Sequence, residues 1–219
     1  LVLSGNIYAF NLAYETDWLR AFFNRADIVR IDGAGVRLGA RLLGHATPAR
    51  MTWADFAWDL AALCEQNEFS LFFLGAKPGV ADKAAQQLQT RHPRLRFVGI
   101  RDGYFNKAKG SAENTAVIQQ INAAHPDILL VGFGMPLQEQ WLSHNWDDLN
   151  ATVILTGGAV FDYVAGELQR APKWMTDNGL EWLGRLLIEP RRLWKRYVVG
   201  NPLFLWRVLR QRLGLLKLD

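Results

Sequence analysis

The chain has 219 residues, 50% of them hydrophobic and 21% charged, with one cysteine and a formal net charge of +4. This is the balance of one good-sized globular domain, or of one domain with a small appendage. It excludes an internal disulfide and fits a reducing compartment, and no apolar run approaches the ~18 residues of a membrane-crossing helix.

In chain order, apolar runs rich in β-formers alternate with helical patterns. LVLS (1–4) reads as a strand and 14–25 as a helix. IVRI (28–31) is the second strand, followed by a helix over 35–44. A longer helical pattern at 54–67 sets Cys64 beside Leu60, Ala61 and Leu63, where it reads as a small core residue. SLFFLG (70–75), RFVGI (96–100), DILLVGF (127–133) and TVILTG (152–157) continue the strands. Helices are predicted over 79–91, 112–124, 138–147 and 173–188. Such alternation predicts an α/β fold, a Rossmann-like and mostly parallel sheet with helices on both faces. SLFFLG and DILLVGF are apolar throughout, as strands covered on both sides are.

Several predicted strands end in the same way. Asp32-Gly33, Gly75-Ala76-Lys77-Pro78-Gly79, Gly132-Phe133-Gly134 and Gly157-Gly158 each stand just past a strand and before a helix. Ligands of open parallel sheets bind outside the carboxyl ends of the strands. Glycines there let the backbone approach, and helix N-termini favour anions. A phosphate or diphosphate ligand is expected. The same glycines could also serve only to turn the chain, and Asp32 could act as a base, hold a ribose hydroxyl or cap the next helix.

Other chemistries lack their motifs. There is no G-x-G-x-x-G after a strand, no G-x-x-x-x-G-K-[ST], no H-E-x-x-H, no C-x-x-C and no D-x-D. His45, His92, His125 and His144 are scattered and read as surface residues. No metal and no cofactor is expected.

The C-terminal segment differs in character. Residues 167–219 hold eleven Lys and Arg against five acids, an excess of six, which leaves −2 over residues 1–166. Pro190 and Pro202 are expected to cut it into short helices. Trp182, Trp194 and Trp206 recur every twelve residues among leucines and arginines. Basic amphipathic helices with Trp suit an anionic membrane surface; plain packing on the α/β part is the other reading. No RNA-binding signature is present, so nucleic acid is not an expected partner. The expected division is 1–178, an α/β ligand-binding domain, and 179–219, a basic amphipathic helical appendage.

In order along the chain, ADIVRIDGAGV, FFLGAKPGVADKAA, DGYF, PDILLVGFGMPLQEQW, GGAVFDYVAGELQRAPKWM and GLEWLGRLLIEPRRLWKRYVVGN resemble the signature blocks of the WecG/TagA/CpsF glycosyltransferase family. The resemblance runs from about Ser4 to Leu209, and a short initial segment is expected to precede the chain. It implies a bacterial enzyme, peripheral on the inner face of the cytoplasmic membrane. Such an enzyme moves a sugar from a UDP-sugar to a polyprenyl-diphosphate-linked saccharide and inverts the anomeric centre. By the same resemblance Asp32 falls on the proposed base and Arg50 on an arginine linked to phosphate or catalysis. Ser4 and Asn6 fall on a polar pair near the first strand, with Ser in place of the commoner Thr. Gln138 falls on the Gln of G-x-P-K-Q-E, while Leu137 stands where Lys is usual. Arg185, Arg191, Arg192 and Arg196 fall among the arginines thought to reach the lipid diphosphate. With Gly33, Gly75, Lys77, Gly134, Gly157 and Gly158 from the strand-end turns, these are the candidate substrate-binding residues.

The opening SGNIYAFNLAYET departs from the commoner N-P-E pattern and points toward hexose transfer in exopolysaccharide synthesis. Transfer of N-acetylmannosamine or its uronic acid, as in teichoic acid or common antigen, is the alternative. Two other classes are weighed: an NAD-dependent epimerase or dehydrogenase, and a non-catalytic membrane-surface adaptor. Asp162 is read as structural or ligand-orienting and Tyr104 as packing. The oligomeric state is left open.

Overall fold

The computed structural model describes residues 1–48 and 51–216. Its strands are β1 (Val2–Gly5), β2 (Ile28–Ile31), β3 (Ser70–Gly75), β4 (Arg96–Arg101), β5 (Ile128–Gly132) and β6 (Val153–Thr156). All six fall where the apolar runs predict them. They form one sheet in the order β2-β1-β6-β5-β3-β4, with β1–β6, β6–β5, β5–β3 and β3–β4 each parallel. Every residue of β3 and of β5 is buried, so these strands are covered on both faces. This is the expected α/β fold, with C-terminal helices following the sheet.

The helices are α1 (Ile7–Glu15), α2 (Asp17–Asn24), α3 (Ala34–Leu42), α4 (Trp53–Gln66), α5 (Val80–Arg91), α6 (Ala112–Ala124), α7 (Leu137–Asn145), α8 (Val160–Val164), α9 (Lys173–Asp177), α10 (Glu181–Ile188), α11 (Pro190–Trp194) and α12 (Gly200–Arg212). Three departures from the sequence reading have physical causes. The Asn6 side chain accepts the Ala9 N–H at 3.0 Å and starts α1, which the periodicity did not reveal. The predicted helix 173–188 breaks at Gly179, which takes φ +74° and would set a Cβ 2.9 Å from that of Ala34. Pro190 does open α11, but Pro202 breaks nothing. It lies in the first turn of α12, just after a wide π turn over Lys195–Val199. There its missing N–H disturbs little.

The chain divides into two compact units. One holds Leu1–Leu3, Asn24–Ile28 and Trp53–Gln169; the other holds Ser4–Phe23, Val29–Thr52 and Arg170–Asp219. The first contains most of the sheet. Leu71 and Phe73 of β3 and Ile128 and Leu130 of β5 join Ala57, Leu60, Ala61 and Cys64 of α4 in a core cluster. Ala81, Ala84, Ala85 and Leu88, spaced at helical period along α5, complete it. Cys64 is fully buried there, and burial pushes its thiol up to about 11, as an unreactive core cysteine requires.

In the second unit, α12 covers α1 and α3. Asn11 donates to the Gly200 carbonyl at 2.8 Å, and Arg207 donates back to the Asn11 side chain at 3.0 Å. A Cβ on Gly39 of α3 would lie 2.8 Å from the Phe204 ring, so glycine lets the two helices approach closely. None of the described helices is long and apolar enough to cross a membrane.

Candidate active site

Within the second unit, β1 and β2 present their carboxyl ends side by side. The Asp32 N–H donates to the Gly5 carbonyl at 2.8 Å and extends their pairing by one residue. Gly33 follows at φ +99° as the N-cap of α3, a backbone conformation that glycine alone enters freely. Asp32 is therefore fixed by backbone on both sides at the mouth of a strand-to-helix turn.

Arg30 lies two residues earlier on β2, so its side chain leaves the strand on the same side as that of Asp32. It is only 8% exposed. Its Nη2 donates to Ser4 Oγ at 2.8 Å and its Nη1 to the Met51 carbonyl. Burial pushes the Asp32 carboxyl above the usual carboxylate range. Arg30 opposes that shift, Glu181 adds to it, and Arg196 and Arg185 oppose it. Burial likewise lowers Arg196, whose guanidinium lies 4.8 Å over the Tyr8 ring. Among the described residues, this half-buried carboxyl is influenced by Arg30, Arg196 and Arg185 and by one acid, Glu181.

Glu189, between α10 and α11, holds Arg185 at 3.1 Å and Arg192 at 2.5 Å. Arg191 is exposed. Arg170 approaches Glu181 at 3.5 Å and Thr52 Oγ1 at 3.4 Å.

Within the first unit, three glycine turns follow the neighbouring strands β3, β5 and β6. Gly75 takes φ +152°, and a Cβ there would fall on the Gly132 carbonyl oxygen. The next residue, Ala76, donates its N–H to that same oxygen at 3.0 Å. Gly157 donates to the Val131 carbonyl at 2.7 Å, while Gly134 and Gly158 take φ +81° and +57°. Lys77 is exposed at the first of these turns. The Met135–Pro136 peptide is cis. Gln138, 2% exposed, accepts the Gly158 N–H on Oε1 at 3.0 Å and donates to the fully buried Glu139 at 2.7 Å. Its amide thus braces the turn after β6. Among the described residues no three His, Cys, Asp or Glu gather as metal ligands would.

The model of the glycosyl transferase WecG/TagA/CpsF family matches residues 1–217. The chain belongs to this family. Among its relatives is a protein of Bacillus subtilis (strain 168), 32% identical over 181 residues, 82% of this chain and 67% of that protein. Another, from Bacillus spizizenii (strain ATCC 23059 / NRRL B-14472 / W23), is 29% identical over 199 residues, 90% of this chain and 74% of its own length. A third, from Staphylococcus aureus (strain NCTC 8325 / PS 47), is 25% identical over 211 residues, 96% and 80% respectively. All three bear the name N-acetylglucosaminyldiphosphoundecaprenol N-acetyl-β-D-mannosaminyltransferase. These names favour the mannosamine alternative over the hexose and exopolysaccharide reading drawn from the opening segment.

The structure brings some of the candidate residues of this family member together. Asp32, Gly33, Ser4, Arg185 and Arg196 belong to one unit, and Gly75, Lys77, Gly134, Gln138, Gly157 and Gly158 to the other. Asn6 engages its side chain in capping α1. Arg50 lies outside the described residues. Tyr104 does not pack as expected, being 68% exposed; its backbone N–H donates to the Asp102 carboxylate at 2.7 Å. Sequence reasoning missed Arg30 and Glu181. A lone arginine inside the apolar run IVRI was the available signal for the first. It also missed Lys107, half-buried with its ammonium 4.3 Å from the Phe105 ring and 4.6 Å from Phe133.

Proposed function

We propose that this chain transfers N-acetylmannosamine from a UDP-linked donor to the N-acetylglucosamine of a polyprenyl-diphosphate lipid, with inversion and without a metal. The observation that carries the sugar and acceptor is the name shared by the relatives across most of the chain. The observation that supports the chemistry is Asp32, a desolvated carboxyl at the carboxyl end of a parallel strand.

In the reading we favour, the acceptor hydroxyl attacks C1 of the donor sugar from the face opposite UDP. Asp32 takes the hydroxyl proton as the new C1–O bond forms. The old C1–O bond breaks and UDP leaves with the electron pair. The leaving diphosphate is met by backbone N–H groups and cations; Gly75, Lys77, Gly134, Gly157 and Gly158 are the assigned contacts, with Gln138 bracing the turn after β6 and Arg50 as a further cation. Asn6 and Ser4 fix the carboxyl end of β1. Residues 179–219, with Arg185, Arg191, Arg192 and Arg196, are assigned to the lipid diphosphate and the anionic membrane surface. Peripheral association follows from a membrane-linked substrate and from exposed Leu187, Trp194, Val198 and Trp206.

A UDP-release screen tests this. UDP-N-acetylmannosamine, UDP-glucose and UDP-glucuronic acid are each offered with GlcNAc-diphosphoundecaprenol in vesicles. Acceptor-dependent release from the first donor alone is expected. Release from UDP-glucose alone would favour the hexose reading, and vesicle binding with no release from any donor would favour an adaptor.

A further inference from the structure

Arg30 is an unusual occupant of its strand. Burying a guanidinium is costly unless its charge and its donors are answered. Its Nη2 and Nη1 meet Ser4 Oγ and the Met51 carbonyl, so its described contacts are with protein and its burial keeps it from bulk solvent. A leucine would fill the same strand position without these demands. What the arginine adds is a permanent positive charge beside the turn that carries Asp32.

We propose that Arg30 is a positioning residue for the Asp32 carboxylate: anchored by Ser4 and Met51, it places a fixed positive charge beside the base without itself touching substrate. This rests on the reading of Asp32 as the base. Among the described residues, the charged groups acting on Asp32 are Arg30 on β2, Glu181 and Arg185 on α10, and Arg196 in the π turn. Arg185 is tied to Glu189, and Arg196 lies over Tyr8. Of the groups that hold Asp32 down against its burial, Arg30 contributes most, and Glu181 works against it. Arg30 and Glu181 therefore act on the base in opposite directions.

The sign of each change follows. A general base works only when deprotonated, so turnover falls as pH drops through its pKa. Removing Arg30 moves that acidic limb to higher pH. Removing the charge of Glu181 moves it to lower pH. The test is the pH profile of kcat/KM for UDP release from UDP-N-acetylmannosamine with the lipid acceptor. It compares the native protein with Arg30→Met, Arg30→Lys, Glu181→Gln and Asp32→Asn. Expected are a limb shifted up in Arg30→Met, restored toward native in Arg30→Lys, and shifted down in Glu181→Gln. Asp32→Asn should lose the limb together with about 10²–10⁴-fold of the rate. If Asp32→Asn keeps its rate, the base reading fails and the proposal with it. If Asp32→Asn is inactive while folded Arg30→Met keeps the native limb, the proposal alone is overturned. Should Arg30→Met not fold, an unmoved limb in Glu181→Gln overturns it.

Discussion

The side-chain oxygen of Gln138 accepts the backbone N–H of Gly158 at 3.0 Å, while its amide nitrogen donates to the buried carboxylate of Glu139. One side chain thereby holds the turn after β6 and answers a buried acid. Gln138→Ala leaves both partners short of a bond in a buried place, at a cost of about 1–3 kcal/mol. Gln138→Glu sets a second carboxylate against Glu139 and should cost more. Urea unfolding of the two variants against the native protein checks the order.

Two glycines of the strand-end turns should respond very differently to alanine. At Gly75 the added carbon falls on the Gly132 carbonyl oxygen, between adjacent parallel strands. Nothing there can yield, and the loss should reach about 3 kcal/mol or more. At Gly134 the added carbon meets nothing within 4 Å, although φ is +81°. Only backbone strain remains, about 1 kcal/mol. Thermal melts of Gly75→Ala and Gly134→Ala compare them directly.

Asp32 should cost stability where it supports activity. Burial raises its carboxyl above the usual range, so the folded protein binds that proton more tightly than the unfolded chain. The associated stability is present at low pH and falls as pH rises through the folded value. An asparagine avoids that loss. At pH 8, Asp32→Asn should melt at or above the native temperature while its turnover collapses. A clear drop in melting temperature at that pH would contradict the sign.

The tail should hold the membrane through residues that carry little of the fold. Trp194 and Trp206 are 47% and 57% exposed, so Trp194→Ser with Trp206→Ser should change stability by no more than about 0.5 kcal/mol per site. The double variant should lose co-sedimentation with vesicles containing anionic lipid, and raising the salt should weaken what remains.

Much of this architecture is written in local pattern. β3 and β5 are apolar at nearly every position and are bounded by glycine turns, so neighbouring residues alone identify them as covered strands. What stayed hidden depends on distant partners. The helix α1 carries its apolar residues on several faces because α12, nearly 190 residues later, covers it through Asn11 and Gly200. Truncating the tail would therefore uncover α1 and α3. Arg30 reads as a stray charge until Ser4, 26 residues earlier, meets its guanidinium. Gln138 was visible as a residue beside a glycine turn, but only the fold shows that its amide faces Gly158 and Glu139. The glycines after β3, β5 and β6 were legible because a chain reversing that tightly has few alternatives.

The stereochemistry of the product tests the central claim most directly. Native protein, UDP-α-N-acetylmannosamine and GlcNAc-diphosphoundecaprenol should give a lipid-linked disaccharide. The one-bond carbon–hydrogen coupling at its new anomeric centre should report a β linkage, as single displacement with Asp32 as base requires. An α linkage would mean retention, and a base-assisted single displacement at Asp32 would be wrong.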